Sequence, residues 1–219
     1  VGQVSALAPS LRVAQDDVHI YWSGAPEWRG LQPSSGYSSG WGEVFGPEVM
    51  FGRTLADADP DRQIALIKHS VGGTDLAAFW YPGENSADIS SMGEGYQIFL
   101  KTVVDGLGEL EASGQAYRIA GMIWMQGESD ASYAPYAGDY ELNMTHFIER
   151  VRDDMNAPEM PVVMGLIDCM GLCAYRSTVR AAQVAVAEAD EAVHVIETED
   201  LGMYPTDGWH YQGLGMRLL

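Results

Sequence analysis

Lysine is almost missing from this chain. Ten of its twelve basic residues are arginine, and only Lys68 and Lys101 carry an ammonium group, against 31 acidic residues and a net charge of −19. Such a surface repels phosphate backbones and anionic bilayers, which argues against nucleic acid and against membranes as partners. It suits a protein dispersed by its own charge in salty surroundings that screen the repulsion. Folding stability that stays flat from low to high salt would count against that expectation. Long apolar runs are also missing: no stretch of eighteen apolar residues occurs, so no spanning helix is expected, and no signal-peptide pattern is visible. Cysteine is scarce. Cys169 and Cys173 stand in DCMGLC with no histidine or further cysteine at metal-ligand spacing, so no metal site is expected. The pair reads equally as a short-loop disulfide, which would suit a secreted or periplasmic protein, or as two free thiols. No GxxxxGK[ST] phosphate loop occurs, which together with the charge disfavours a nucleotide binder.

What is present is enough for one domain, residues 1–219, with a full core. Nothing strand-like precedes Asp17, and residues 18–22 (VHIYW) form a short β-like run. Residues 23–45 are rich in Gly, Pro and Ser and read as a long surface loop. Its aromatics, Trp28, Tyr37 and Trp41, suit either a stacking surface for a sugar or a cover over the core edge. Gly46-Pro47-Glu48 opens a helix that runs to the acidic stretch 57–61. A buried strand over 64–67 then runs into Lys68-His69-Ser70-Val71-Gly72-Gly73-Thr74. Periodicity predicts helices over about 95–112, around Tyr140 to Met155, and over 174–189. Buried strands are expected at 119–124, 162–167 and 192–197, with His194 a packed strand residue rather than a ligand. A last helix follows His210. Strand and helix alternate throughout, with neither repeat nor linker, so the fold expected is an α/β/α sandwich on a central parallel sheet.

The chain is organised around 119–131, IAGMIWMQGESDA, where a strand delivers an amide, a glycine and carboxylates at its carboxyl end. That edge is where α/β sheets place their chemistry. Two further polar clusters can converge there, Gly72-Gly73-Thr74 and Asp207-Gly208-Trp209-His210. An aspartate three residues before a histidine can hold Nδ1 while Nε2 faces outward, which orients a general base. A glycine turn offers an unobstructed N–H and a glutamine offers an amide donor, and the two together can bind a developing oxyanion.

Taken in this order, the blocks GPE (46–48), IALIKHSVGGTDLAAFW (64–80), IWMQGESDA (123–131) and DGWH (207–210) resemble the sialate O-acetylesterase and acetylxylan esterase group, carbohydrate esterase family six, of the SGNH hydrolases. The resemblance implies a flavodoxin-like three-layer fold and serine-dependent deacetylation of sugar esters, with no metal or organic cofactor. It also implies His210 as general base, Asp207 as the residue orienting it, Gly73 and Gln126 as oxyanion donors, and Glu128 as structural support. Ser129 and Asp130 match the motif and are not nucleophiles in that family.

One part of the pattern is missing. The family places its nucleophile in a Gly-Gln-Ser-Asn turn after its first strand, whereas here Gly2-Gln3 is followed by Val4. Val1-Gly2 resembles the continuation of that turn, so the expectation is that the natural protein has further residues upstream. Within the sequence, Ser5 and Ser70 are the fallback nucleophiles. The competing hypothesis is a non-catalytic carbohydrate-binding protein that kept the scaffold and lost the serine. An intact mass for the natural protein that matches these 219 residues alone would refute the upstream extension.

Overall fold

Strand β2 (Gln15–Trp22) buries Val18 and Ile20 completely and leaves Asp17 and His19 partly exposed, the period-two pattern of a strand with one covered face. The computed structural model describes residues 2–33, 44–204 and 208–216. They fall into two compact units, Val1–Ser70 with Lys101–Gln115 and Asp200–Leu219, and Val71–Leu100 with Ala116–Glu199. Each is a mixture of helices and sheet.

In the first unit, β2 pairs parallel with β5 (Ile64–Lys68), Val18 opposite Ile64 and Trp22 opposite Lys68. On its other side β2 pairs antiparallel with β3 (Ala25–Leu31), which overturns the reading of 23–45 as one long loop. Pro26 and Gly30 disguised this strand, yet proline is tolerated on an edge strand because no ladder donor is lost there. Trp28 stacks on Tyr21 and donates its Nε1–H to the Gly106 carbonyl (3.0 Å), so it covers the core edge; Tyr37 and Trp41 lie outside the described residues. Helix α1 (Glu48–Ala58) lies on this sheet through Gly52, where a Cβ would come within 2.7 Å of Val18 and 2.8 Å of Leu31. Its first residue, Glu48, is buried and paired with Lys68 Nζ at 3.0 Å. The chain start is also ordered as strand, contrary to expectation: β1 (Gly2–Gln3) pairs antiparallel with β4 (Val44–Phe45).

In the second unit, β6 (Met122–Trp124), β7 (Val162–Gly165) and β8 (Val193–Ile196) form a parallel sheet in that order. Helices α3 (Ala134–Asp154) and α4 (Arg176–Ala189) supply Tyr140, Met144, Phe147, Val179 and Val186 to a core that also holds Trp80 and Tyr96. Tyr96 belongs to α2 (Glu94–Ala112). β7 stops at Gly165 rather than at residue 167. The fully buried Gln183 accepts from the Ile167 N–H (3.1 Å) and donates to the Gly165 carbonyl (3.1 Å), taking the place of a strand neighbour.

Three expectations of burial are corrected. Among the described residues β6 pairs with β7 alone, which leaves Ile123 40% exposed; β5 pairs with β2 alone, with Ala65 exposed. His194, on edge strand β8, is exposed rather than packed. Parallel pairs are present as expected, but β3 and the β1–β4 pair are antiparallel, so the pairing is mixed.

A buried polar knot closes the second unit. Asp154 accepts from Arg150 (3.0 Å), from Ser86 Oγ (2.7 Å) and from the Tyr96 hydroxyl (2.7 Å). Burial and this carboxylate push the Tyr96 hydroxyl well above the usual phenol range. Removing one partner of a buried ion pair leaves the other charge uncompensated, so Asp154→Ala is expected to cost about 3–5 kcal/mol in urea denaturation. A loss under about 1 kcal/mol, the range of exposed pairs, would show the knot to be inconsequential.

Candidate active site

Beyond Trp124 the chain leaves β6 and turns at Gly127, whose φ of +141° and tight seat allow no side chain; a Cβ would lie 2.9 Å from Ile167 and 3.2 Å from the Tyr140 hydroxyl. That turn sets Gln126 and Asp130 side by side, both buried. Gln126 Nε2 donates to the Thr74 carbonyl (2.9 Å) and to Asp130 Oδ2 (2.6 Å). The Tyr140 hydroxyl lies 3.0 Å from the Gln126 carbonyl and 3.3 Å from its Oε1. Asp130 accepts from the Leu76 N–H at 3.1 and 2.9 Å and from the Ala77 N–H at 3.3 Å. Burial raises the Asp130 carboxyl above its usual range, and these donors oppose the rise.

The loop held this way is the diglycine stretch. Thr74 Oγ1 donates to the Val71 carbonyl (2.9 Å) and accepts from Trp80 Nε1 (2.9 Å), while Asp75 accepts from the Ala78 N–H (2.6 Å). Gly72 and Gly73 are exposed with open space where a side chain would be, and Gly73 sits at φ +73°. Its N–H donates to no acceptor among the described residues. The second unit therefore bonds Gln126 to Thr74, the residue after Gly73, in a loop that Asp130 also anchors through Leu76 and Ala77.

Glu128 lies beside this knot. Burial, then the charges of Asp130 and Asp168, push its carboxyl above the usual range, although its own N–H and that of Gly127 favour the ionised form. Asp168 in turn pairs with Arg176 at 3.1 Å. The neighbouring Cys169 and Cys173 are paired as a disulfide with Cα atoms 6.0 Å apart, the bonded of the two alternatives. Among the described residues no cluster of His, Cys, Asp or Glu can hold a metal ion, and no helix is long and apolar enough to cross a membrane.

His210 belongs to the first unit, while Asp207 lies outside the described residues. The His210 carbonyl accepts from the Tyr204 N–H (2.8 Å), Met203 bridges to Tyr211, and α5 (Gly213–Met216) follows. α5 is seated on the chain start: a Cβ on Gly2 would come within 2.9 Å of the Gly213 Cα. Ser5 and Ser70 are both exposed. Two features escaped the sequence. Asp130 looked like motif filler, although an acid four residues after a glutamine at a strand end was a usable signal. Ser23 Oγ and His69 Nδ1 stand 2.8 Å apart, just after β2 and β5, with burial lowering the His69 pKa; only the strand pairing could have revealed them.

A family model described as carbohydrate esterase, sialic acid-specific acetylesterase, matches residues 7–218. No curated protein matches the sequence. Among solved structures, a protein of Arabidopsis thaliana superposes with a TM-score of 0.76 at 20% identity, over 97% of this chain and 80% of its own. A carbohydrate acetylesterase from Xanthomonas citri superposes with a TM-score of 0.68 at 16% identity, over 99% of this chain and 52% of its own. This chain thus spans about half the length of the Xanthomonas protein. At these identities the likeness is one of fold.

The raised carboxyl of Glu128 has a consequence for stability. A partly buried acid whose folded pKa lies above its unfolded value binds more protons when folded, so its contribution falls as pH rises through that window. Glu128→Gln removes the ionisation. The variant is expected to have a higher urea midpoint than the parent at about pH 8, with the gap closing below about pH 4, where both side chains are neutral. A gap of the same size at both pH values would contradict the burial argument.

Proposed function

The chain belongs to the sialic acid-specific acetylesterase family of carbohydrate esterases, and we propose that it removes O-acetyl groups from sugars through an acyl-enzyme formed on a serine. We read it as one three-layer α/β/α hydrolase domain of the flavodoxin-like kind, soluble and secreted or periplasmic. The observation that carries the chemical reading is the open Gly73 N–H on a loop pinned to Gln126.

In this mechanism a serine Oγ attacks the acetyl carbonyl, and His210 Nε2 takes its proton while Asp207 holds Nδ1. The negative charge that develops on the carbonyl oxygen is met by the Gly73 N–H and by Gln126 Nε2, which gives up its bond to the Thr74 carbonyl. Collapse of the tetrahedral intermediate breaks the ester C–O bond, and the sugar oxygen takes the proton from His210. Water then attacks the acetyl-serine with His210 as base, releasing acetate and restoring the serine. Glu128 stays out of the proton path and supports the turn. The reaction as written draws on no metal or organic cofactor.

The nucleophile itself is not assigned to a residue of this sequence; Ser5 and Ser70 are its exposed fallback candidates. The substrate class that follows is an acetylated carbohydrate, of the acetylxylan or acetylated sialic acid type.

Acetate release from 4-nitrophenyl acetate, acetylated xylan and O-acetylated sialic acid tests the proposal. His210→Ala is expected to lower kcat by about 10²–10⁴-fold with KM little changed. Sugar binding without turnover in the parent protein would favour the non-catalytic alternative, and full activity in His210→Ala would overturn the assignment of the base.

A further inference from the structure

A primary amide has a donor end and an acceptor end of nearly equal size, and in an oxyanion site its direction decides everything. With the nitrogen facing the substrate it stabilises a developing negative charge; with the oxygen there it repels that charge. Something must fix that direction.

Three groups touch the Gln126 amide. The Thr74 carbonyl and Asp130 Oδ2 lie on the Nε2 side at 2.9 and 2.6 Å, and the Tyr140 hydroxyl lies 3.3 Å from Oε1. A carbonyl and a carboxylate accept only, whereas a hydroxyl can donate, so the set admits one orientation of the amide. Asp130 has a wider reach than the other two. With no exposed surface, it also gathers the Leu76 and Ala77 N–H groups, which lie on the loop that carries Gly73. Among the described residues no basic side chain is bonded to it, and its partners are neutral amides. A buried anion held only by amide dipoles is costly to place. What it achieves here is to set the direction of one amide and to tether the loop that bears the other donor.

We propose that Asp130 is the positioning residue of the site, fixing which end of the Gln126 amide faces the diglycine turn and tethering that turn, so that one Nε2–H stays on the carboxylate while the other, held by the Thr74 carbonyl in the resting site, is the one released to the oxyanion. The inference rests on the esterase reading for its catalytic consequence, while the clamp itself is a property of the loop. Asp130 touches no reacting atom and transfers no proton.

Asp130→Asn tests it, because the shape is kept while one acceptor oxygen becomes a donor facing the Leu76, Ala77 or Gln126 N–H groups. The folded variant is expected to exchange its amides at 74–80 about tenfold faster or more. Its kcat for acetate release is expected to fall about 10²–10³-fold, the cost of one lost oxyanion donor, with KM unchanged. Tyr140→Phe is the control arm, since the one hydroxyl proton lies nearer the Gln126 carbonyl (3.0 Å) than Oε1 (3.3 Å) and the carboxylate that sets the amide stays in place. Its kcat and its exchange at 74–80 are expected to stay within about twofold of the parent. If Asp130→Asn does not fold, Asp130→Glu, which keeps the charge but displaces it by one methylene, takes its place with the same expected losses. Parental exchange at 74–80 or a parental kcat in the folded Asp130 variant would overturn the proposal, as would an equal loss in Tyr140→Phe. Should the parent protein show no turnover, the esterase reading fails, and the exchange measurement still decides whether the clamp exists.

Discussion

One buried carboxylate holds the candidate site together. Asp130 accepts from Leu76, Ala77 and Gln126, joining two stretches some fifty residues apart in sequence, and with the Gln126–Thr74 bond it ties the diglycine loop to the end of β6. The arrangement depends on Gly127, because any side chain there would meet Ile167, Val179 and the Tyr140 hydroxyl and push the turn off its seat. It depends equally on Met125, whose sulfur fills the space above Gly165, where a Cβ would lie 2.2 Å away. Small residues let the strand ends approach, and the polar knot then converts that approach into one defined loop conformation.

The first unit obeys a comparable constraint with different chemistry. Gly52 lets α1 settle onto β2 and β3, and the Glu48–Lys68 pair ties the start of that helix to the end of β5. The segment that carries His210 is fixed by a backbone bridge between Met203 and Tyr211 and by the close approach of Gly213 to the chain start. In each unit the candidate site residues sit just beyond regular structure, where backbone groups are available and a neighbouring turn can hold them.

Much of this was legible beforehand because it is written in periodicity. The helices over α2, α3 and α4 follow from apolar residues at helical spacing, and β5, β7 and β8 from short β-branched runs. The pairing of Gln126 with the diglycine loop was legible too, because both clusters follow strand ends of one α/β pattern. Strand β3 was not, since a proline and a glycine in an edge strand look the same as a loop when only composition is read. The exposure of Ile123 and His194 was also hidden, because hydrophobicity shows that a strand prefers cover but not how many neighbours it has. Asp130 was missed for a different reason: a carboxylate bonded to backbone N–H groups leaves no trace in the identity of its partners, Leu76 and Ala77. The family motif covers 123–131 without saying which of those residues form the frame.

The account as a whole stands on an ester formed between the protein and an acetyl group. Intact-protein mass spectrometry after reaction with a fluorophosphonate, which loses fluoride to an activated serine and leaves a tetrahedral phosphonyl group on it, tests this most directly. The account predicts one adduct per chain, located on a serine by peptide mapping, with acetate release lost in step with labelling. Unlabelled protein that still releases acetate at its full rate would contradict it.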